Sequence, residues 1–369
     1  MTKIQQLYQL GQSIWYDFIR RSLMTSGELQ KLIDEGLRGM TSNPTIFDKA
    51  ISGSSDYDDD LKELVKQYDS VPQIYEALAL KDIGMAADLL LPVYEESNAG
   101  DGFVSLEVSP ELAYRTDETI REAKKLYQAL NRPNIMIKVP ATQEGLPAVT
   151  KLIGSGVNVN VTLIFSLDNY RQVAAAYIEG LQKLAAAGPT VKGGHTVKTV
   201  ASVASFFVSR VDTYFDKELE KIGNRELRGK IAVANAKVSY RAFKEIFSGK
   251  TWDELQAKGA RKQRVLWAST STKNPAYPPL LYVDELIGPE TVNTVPPATY
   301  DTFMQQGKVE LTLERGLEEA QEQIAKLADL GIDYRAVTQQ LQDDGVEAFA
   351  KSFQSLMESI DEKRKKLLG

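Results

Sequence analysis

Eight short β-rich runs alternate with helical stretches along this chain, and that alternation constrains its fold more than any other feature. The runs are Ser13–Asp17, Gly39–Asn43, Phe103–Val108, Ile135–Val139, Val159–Ile164, Val200–Phe206, Val265–Ser269 and Thr291–Val295. Most are rich in Val, Ile or Phe without strict alternation, as strands of a parallel sheet covered on both faces should be. Strands separated by helices imply a parallel sheet with right-handed crossovers. No Gly-rich nucleotide fingerprint follows any of the runs. Eight units therefore predict a closed (β/α)8 TIM barrel rather than a doubly wound sheet. The 369 residues suit one such domain over 1–369, with extra helices in roughly 46–102, 207–264 and 300–369. The C-terminal helices are expected to pack on the outside of the barrel.

Helix signals fall between the runs. Thr25-Ser26-Gly27-Glu28 and Thr251-Trp252-Asp253-Glu254 read as capping boxes. Thr116 and Ser166 read as caps of helices bearing Ile120, Ala123, Tyr127 and Leu130, and Tyr170, Val173, Tyr177 and Leu181. Leu313, Leu317, Ala320, Ile324, Leu327 and Leu330 form a helical stripe. The acidic run Asp56–Asp60 reads as a solvated turn or helix start, and Lys363–Lys366 as a helix C-terminus.

Composition removes several function classes. With 44 basic and 50 acidic residues, the net charge of −6 offers no general attraction to nucleic acid or anionic lipid. A bound phosphate must be held by a local cluster. The absence of cysteine excludes disulfides, thiolate nucleophiles and Cys–zinc sites. The one histidine, His195, sits in a Gly-rich stretch and is expected to be non-catalytic. No metal and no cofactor are expected. The start of the chain lacks a signal-peptide pattern, and no run reaches membrane-spanning length, so a cytoplasmic protein without membrane or nucleic-acid partners is expected.

Barrel enzymes carry their chemistry at the C-terminal ends of the strands, and polar residues are dense there. Lys138 stands inside Ile135-Met136-Ile137-Lys138-Val139. A charged amine in an apolar strand is costly unless paired. It is either a nucleophile able to form a Schiff base or the partner of a buried carboxylate. Asp17 ends the first run, Glu107 lies in the third flanked by apolar residues, and they supply two such carboxylates, whether as acid/base groups or as ion-pair and cap residues. Asn43 precedes Pro44 and fits a turn as well as a ligand contact. Asn160 and Thr162 share a strand face by the period of two. Ser205 lies at the end of the sixth run with Arg210 following it, and Ser269 ends the seventh. Arg210 suits a phosphate through its planar fork, or a salt bridge along a helix.

The ordered set Asp17, Thr41-Ser42-Asn43-Pro44, Ser105-Leu106-Glu107-Val108, Ile137-Lys138-Val139-Pro140, Asn160-Val161-Thr162-Leu163-Ile164-Phe165-Ser166, Ser205-Phe206-Phe207-Val208-Ser209-Arg210 and Ala268-Ser269 resembles the transaldolase family, in its longer bacterial type. The resemblance spans the chain from first strand to eighth. It implies small sugar-phosphate substrates and transfer of a dihydroxyacetone unit through a lysine Schiff base, with no cofactor. It implies that Lys138 forms the imine, that Asp17 exchanges the C4 hydroxyl proton, and that Glu107 and Thr162 order a water. By the same resemblance Asn43 and Ser205 hold dihydroxyacetone hydroxyls, Phe207 lies near the water, and Arg210 and Ser269 meet phosphate. Where the family commonly has Ala-Ser-Phe-Arg-Asn, this chain reads Ala268-Ser269-Thr270-Ser271-Thr272-Lys273-Asn274, so Lys273 takes the place of a second phosphate arginine. Glu107 and Phe207 disfavour the related fructose-6-phosphate aldolases, which resemblance places at Gln and Tyr. A non-catalytic sugar-phosphate-binding barrel would have no reason to retain Asp17, Glu107 and Lys138 together. A monomer or homodimer is expected.

Overall fold

The computed structural model describes residues 1–187 and 196–368. His195 and the stretch before it lie outside the described residues. Eight parallel strands close into a barrel in sequence order. They are β1 (Gln12–Asp17), β2 (Gly39–Thr41), β3 (Phe103–Glu107), β4 (Ile135–Pro140), β5 (Val159–Ile164), β6 (Ser202–Phe207), β7 (Arg264–Ala268) and β8 (Thr291–Val295), with β8 pairing back onto β1. Apolar side chains are buried on both faces of the strands, with Trp15, Phe206 and Trp267 among the largest. Removing such a side chain from water contributes about 1.5–3 kcal/mol, which favours continuous apolar runs in this sheet.

Strand ends differ from expectation where the chain turns to make the site. Strand β2 stops at Thr41 because Asn43 caps the helix Pro44–Ser52, accepting from the Ile46 amide at 3.0 Å. Strand β7 stops at Ala268, where Ser269 turns the chain out of the extended conformation with φ 54°. Strand β6 starts two residues later than expected, after a turn through Thr196–Thr199, and runs on to Phe207.

The long connections do hold helices. Pro44–Ser52, Asp58–Gln67 and Val71–Glu96 fill the first, and Val208–Lys221, Ile231–Ile246 and Lys250–Ala257 the second. Three caps are other than expected. Thr25 ends the helix Arg21–Thr25, and the next helix, Glu28–Asp34, starts after left-handed Gly27. Thr116 is already helical and donates to the Glu144 carbonyl at 2.7 Å. Thr251 lies inside a helix preceded by Gly249. Ser166 caps as expected, accepting from Asn169 at 3.1 Å. The Leu313–Leu330 stripe is only partly helical, because the helix begins at Leu317.

The acidic run is more than a solvated turn. Asp58–Asp60 open a helix, but Asp56 pairs with Arg20 at 2.8 Å and Asp60 with Arg21, around a buried Tyr57. Lys363 ties the far end of the chain to Asp58 at 2.9 Å. The last helix, Tyr334–Leu368, departs most from expectation. It does not lie wholly outside the barrel. It crosses the mouth, where Phe349 enters the central cavity and Gln342 bonds the strand ends. No helix among the described residues is long and apolar enough to cross a membrane.

Candidate active site

Strand register assembles the centre of the site. Glu107 pairs with Lys138 across β3 and β4, Lys138 with Asn160 across β4 and β5, and Pro140 with Thr162. In-register neighbours on parallel strands point to the same face, so these side chains enter the barrel together. Across β1 and β2, Asp17 stands level with Thr41. The C-terminal strand ends surround a cavity of about 280 Å³ lined by Asp17, Asn43, Lys138, Thr162, Ser205, Phe207, Arg210, Ser269 and Lys273. Glu107 is the one predicted residue off this wall. It stands behind Lys138 and borders a smaller pocket with Tyr75 and Glu122.

Lys138 donates from Nζ to the Ser42 carbonyl at 3.0 Å and to Glu107 Oε2 at 3.2 Å. The two side chains are 6% and 7% exposed, so the ion pair is buried yet opens onto the cavity. Burial pushes the Glu107 carboxyl above its ordinary range, and the Lys138 charge opposes this. Asp17 behaves alike: burial raises it, with Lys138 and a hydrogen bond from Thr41 opposing. Thr41 gives its one hydroxyl proton to Asp17 Oδ1 at 2.7 Å, so it accepts from Thr294 at 2.6 Å. One amine thus acts on two buried carboxyls, each raised above its ordinary range by burial and held back by the lysine charge.

Polar contacts continue across the barrel. Ser205 donates to Asn160 Oδ1 at 2.6 Å, and Asn160 donates to Ser105 at 3.1 Å. The Asn43 helix cap uses its amide oxygen and leaves the NH2 for a ligand. The buried Thr162 hydroxyl has no hydrogen-bond partner among the described residues, although Thr162 lines the cavity. A buried orphan hydroxyl beside an amine is a place for a water or a substrate oxygen.

Cations gather on another part of the wall. Arg210 sits in the first turn of the helix Val208–Lys221, where the dipole favours an anion. It makes no ion pair with a described residue, so the alternative of a salt bridge along the helix is set aside. Its guanidinium lies 5.2 Å from the Phe207 ring and 5.8 Å from Phe349. Burial lowers the Lys273 pKa, and so do the nearby charges of Arg210 and Lys49, while Asp17 opposes them. Ser269 accompanies them in its strained left-handed conformation, its hydroxyl 2.9 Å from that of Ser209. Lys49 and Phe349 line the cavity and were not legible as site residues. Lys49 lies on a helix where a lysine is ordinary, and Phe349 looks like any apolar helix position.

Size alone would choose the wrong cavity. A larger one, of about 370 Å³, lies at the N-terminal end of the barrel. Its charges satisfy each other, Arg264 pairing with Asp101 at 2.9 Å and Lys262 with Glu290 at 2.8 Å. Among the described residues, no three His, Cys, Asp or Glu side chains come together as a metal site would need.

The family model described as Transaldolase/Fructose-6-phosphate aldolase matches residues 14–360. The chain belongs to this family. A transaldolase of Trichodesmium erythraeum is 47% identical, over 98% of this chain and 97% of its own length. A transaldolase of Thiobacillus denitrificans is 46% identical over 98% of this chain and all of its own length, and transaldolase 2 of Nostoc sp. PCC 7120 is 45% identical. Within the transaldolase/fructose-6-phosphate aldolase family, the similar proteins named here are all transaldolases.

Proposed function

We propose that the chain is a transaldolase, moving a dihydroxyacetone unit from fructose 6-phosphate or sedoheptulose 7-phosphate to an aldose phosphate. The observation that carries this reading is a buried lysine flanked by two buried carboxyls in a cavity whose wall also bears three cations. The unprotonated Lys138 amine attacks the C2 carbonyl of the ketose. Glu107, 3.2 Å away, holds the proton that the Lys138 ammonium gives up and passes it to the C2 oxygen as the amine attacks. It then takes a proton from the nitrogen and returns it to the same oxygen, so that water leaves, the iminium forms and Glu107 is left ionised. Thr162 offers that water its free hydroxyl. The resulting iminium is the electron sink. Asp17 removes the C4 hydroxyl proton, the C3–C4 bond breaks, and its electrons move into the enamine held on Lys138. The aldose phosphate leaves, and the enamine adds to a second aldose phosphate with Asp17 returning the proton. Covalent transfer of this kind gives ping-pong kinetics.

The experiment that tests the reading is borohydride reduction in the presence of fructose 6-phosphate, followed by peptide mapping. A dihydroxyacetone-sized adduct should appear on Lys138. An adduct on another lysine, or none, would overturn it.

The cations of the wall bind phosphate. Arg210→Ala should raise KM for phosphorylated substrates about ten- to a hundredfold, the worth of a charge-assisted contact of roughly 1.5–3 kcal/mol. Phosphate-free donors should be affected far less. Equal losses for both would make Arg210 a structural residue.

The second reading, a fructose-6-phosphate aldolase, differs in the fate of the enamine, which hydrolysis releases as free dihydroxyacetone. Phe207 lines the cavity among Phe165, at 5.6 Å between centroids, and Phe349, at 6.1 Å. These rings offer an attacking water no hydrogen bond. Phe207→Tyr adds one hydroxyl and should raise the ratio of released to transferred dihydroxyacetone about fivefold, the worth of roughly 1 kcal/mol. An unchanged ratio in a folded variant would mean that Phe207 does not face the water.

A further inference from the structure

Strand β5 is irregular where it enters the active site. Its register with β6 advances from Val161 to Ile164 while β6 advances only from Ala204 to Phe206. One extra residue is therefore accommodated, a bulge of the kind that re-aims side chains near active sites. Leu163 takes the strain, with φ 62°. A branched, non-glycine residue holds that conformation only where its surroundings impose it.

The surroundings come from the far end of the chain. Gln342, on the helix that crosses the mouth, is 7% exposed. Its Nε2 donates to the Leu163 carbonyl at 3.1 Å and to the Ala141 carbonyl at 3.0 Å, and lies 3.2 Å from Asn169 Oδ1. Asn169 also donates to the Ala141 carbonyl, at 2.9 Å. The Ala141 amide in turn donates to the Thr162 carbonyl at 2.8 Å. One side-chain amide thus ties together the ends of β4, which carries Lys138, and β5, which carries Thr162. Three residues further along the same helix, Gly345 approaches so closely that a Cβ there would come within 2.9 Å of Leu163 Cδ2. The helix backbone therefore lies directly against the bulge.

We propose that Gln342 is a positioning residue for the reaction: by holding the β5 bulge at Leu163, it aims the Thr162 hydroxyl at the water exchanged at the Lys138 imine. This rests on the reading of Thr162 given above. Without the two donated bonds, Leu163 would relax toward an extended φ. The face presented by the end of β5 would then be free to shift, and Lys138 would keep its own contacts to Glu107 and Ser42.

The test compares Gln342→Met, which keeps length and volume but donates nothing, with Thr162→Val and with the double variant. Gln342→Met should lower kcat about twenty- to thirtyfold, as loss of two ordinary hydrogen bonds implies. KM for fructose 6-phosphate should stay within about twofold, because the cations that hold phosphate are untouched. In rapid-quench borohydride trapping, imine formation should slow by the same factor as kcat. The double variant should be no slower than Thr162→Val alone, since both changes remove one function. Multiplicative losses in the double variant, a rise in KM with kcat intact, or wild-type kinetics for Gln342→Met would overturn the proposal while leaving Thr162's role standing. Wild-type kinetics for Thr162→Val would defeat the reading of Thr162, and the proposal with it. If Gln342→Met does not fold, Gln342→Asn gives the same comparison, keeping the amide but withdrawing it by one methylene.

Discussion

Lys138→Met should abolish dihydroxyacetone transfer and borohydride trapping together. Among the described residues no other amine stands beside both Asp17 and Glu107, so the loss should be on the order of 10⁴ or more in kcat, as for removal of a covalent nucleophile that acts with its partners as a unit. Methionine keeps the length of the stem, so packing against Phe349, 5.7 Å from Nζ, should survive. The electrostatic consequence falls on Glu107. Its carboxyl is already raised by burial, and Lys138 is the largest opposing influence. In the variant it should rise further. An acid raised in the folded state stabilises at low pH and loses that contribution as pH rises from the ordinary carboxylate range through the folded value. Lys138→Met should therefore unfold at a temperature nearer wild type at mildly acidic pH than at pH 8. A folded variant that retained transfer would remove Lys138 from the mechanism.

Asp17→Asn should lower kcat by about 10²- to 10⁴-fold, the usual worth of a positioned general base, while KM changes little. The asparagine can still accept from Thr41, so geometry is kept and proton exchange is lost. Trapping should continue, because imine formation precedes C3–C4 cleavage. An adduct retaining the whole ketose on Lys138 would be the signature. Burial raises the Asp17 pKa against the pull of Lys138. In the wild type, the acid limb of the pH profile should accordingly lie above the ordinary aspartate range, activity falling as pH drops through the raised value. The same shift means the ionised carboxylate is destabilising at neutral pH, so Asp17→Asn should unfold no lower than wild type, as expected where stability is sacrificed at a functional group. Loss of trapping in this variant would place Asp17 before cleavage instead.

The strands were legible because each is a short apolar run whose burial is decided locally, and parallel pairing in chain order requires only that every run find its neighbour. Lys138 was conspicuous for the same reason, as a charge inside such a run. The caps were read less well. Thr25, Thr116 and Thr251 each have the right neighbours for a cap, but at each helix start the φ of a preceding glycine or a competing acceptor decided otherwise. The Asp56–Asp60 run looked solvated because its partners, Arg20, Arg21 and Lys81, are distant in sequence.

By itself the sequence determined the barrel, the order of its strands and the residues at their C-terminal ends, since period, burial and chain direction suffice to place them. Only the tertiary structure decided what closes the site over those residues. The helix Tyr334–Leu368 carries Gln342 and Phe349 across the mouth, meeting Leu163, Phe207 and Lys138 at sequence separations that no local pattern encodes. Lys49 reaches the same cavity from the helix Pro44–Ser52, near Arg210 and Lys273. The physical reason is common to all three cases. A helix shows in its sequence which face is apolar, but the partner that face meets is fixed by where the rest of the chain has left an opening. Here that opening is the cavity itself.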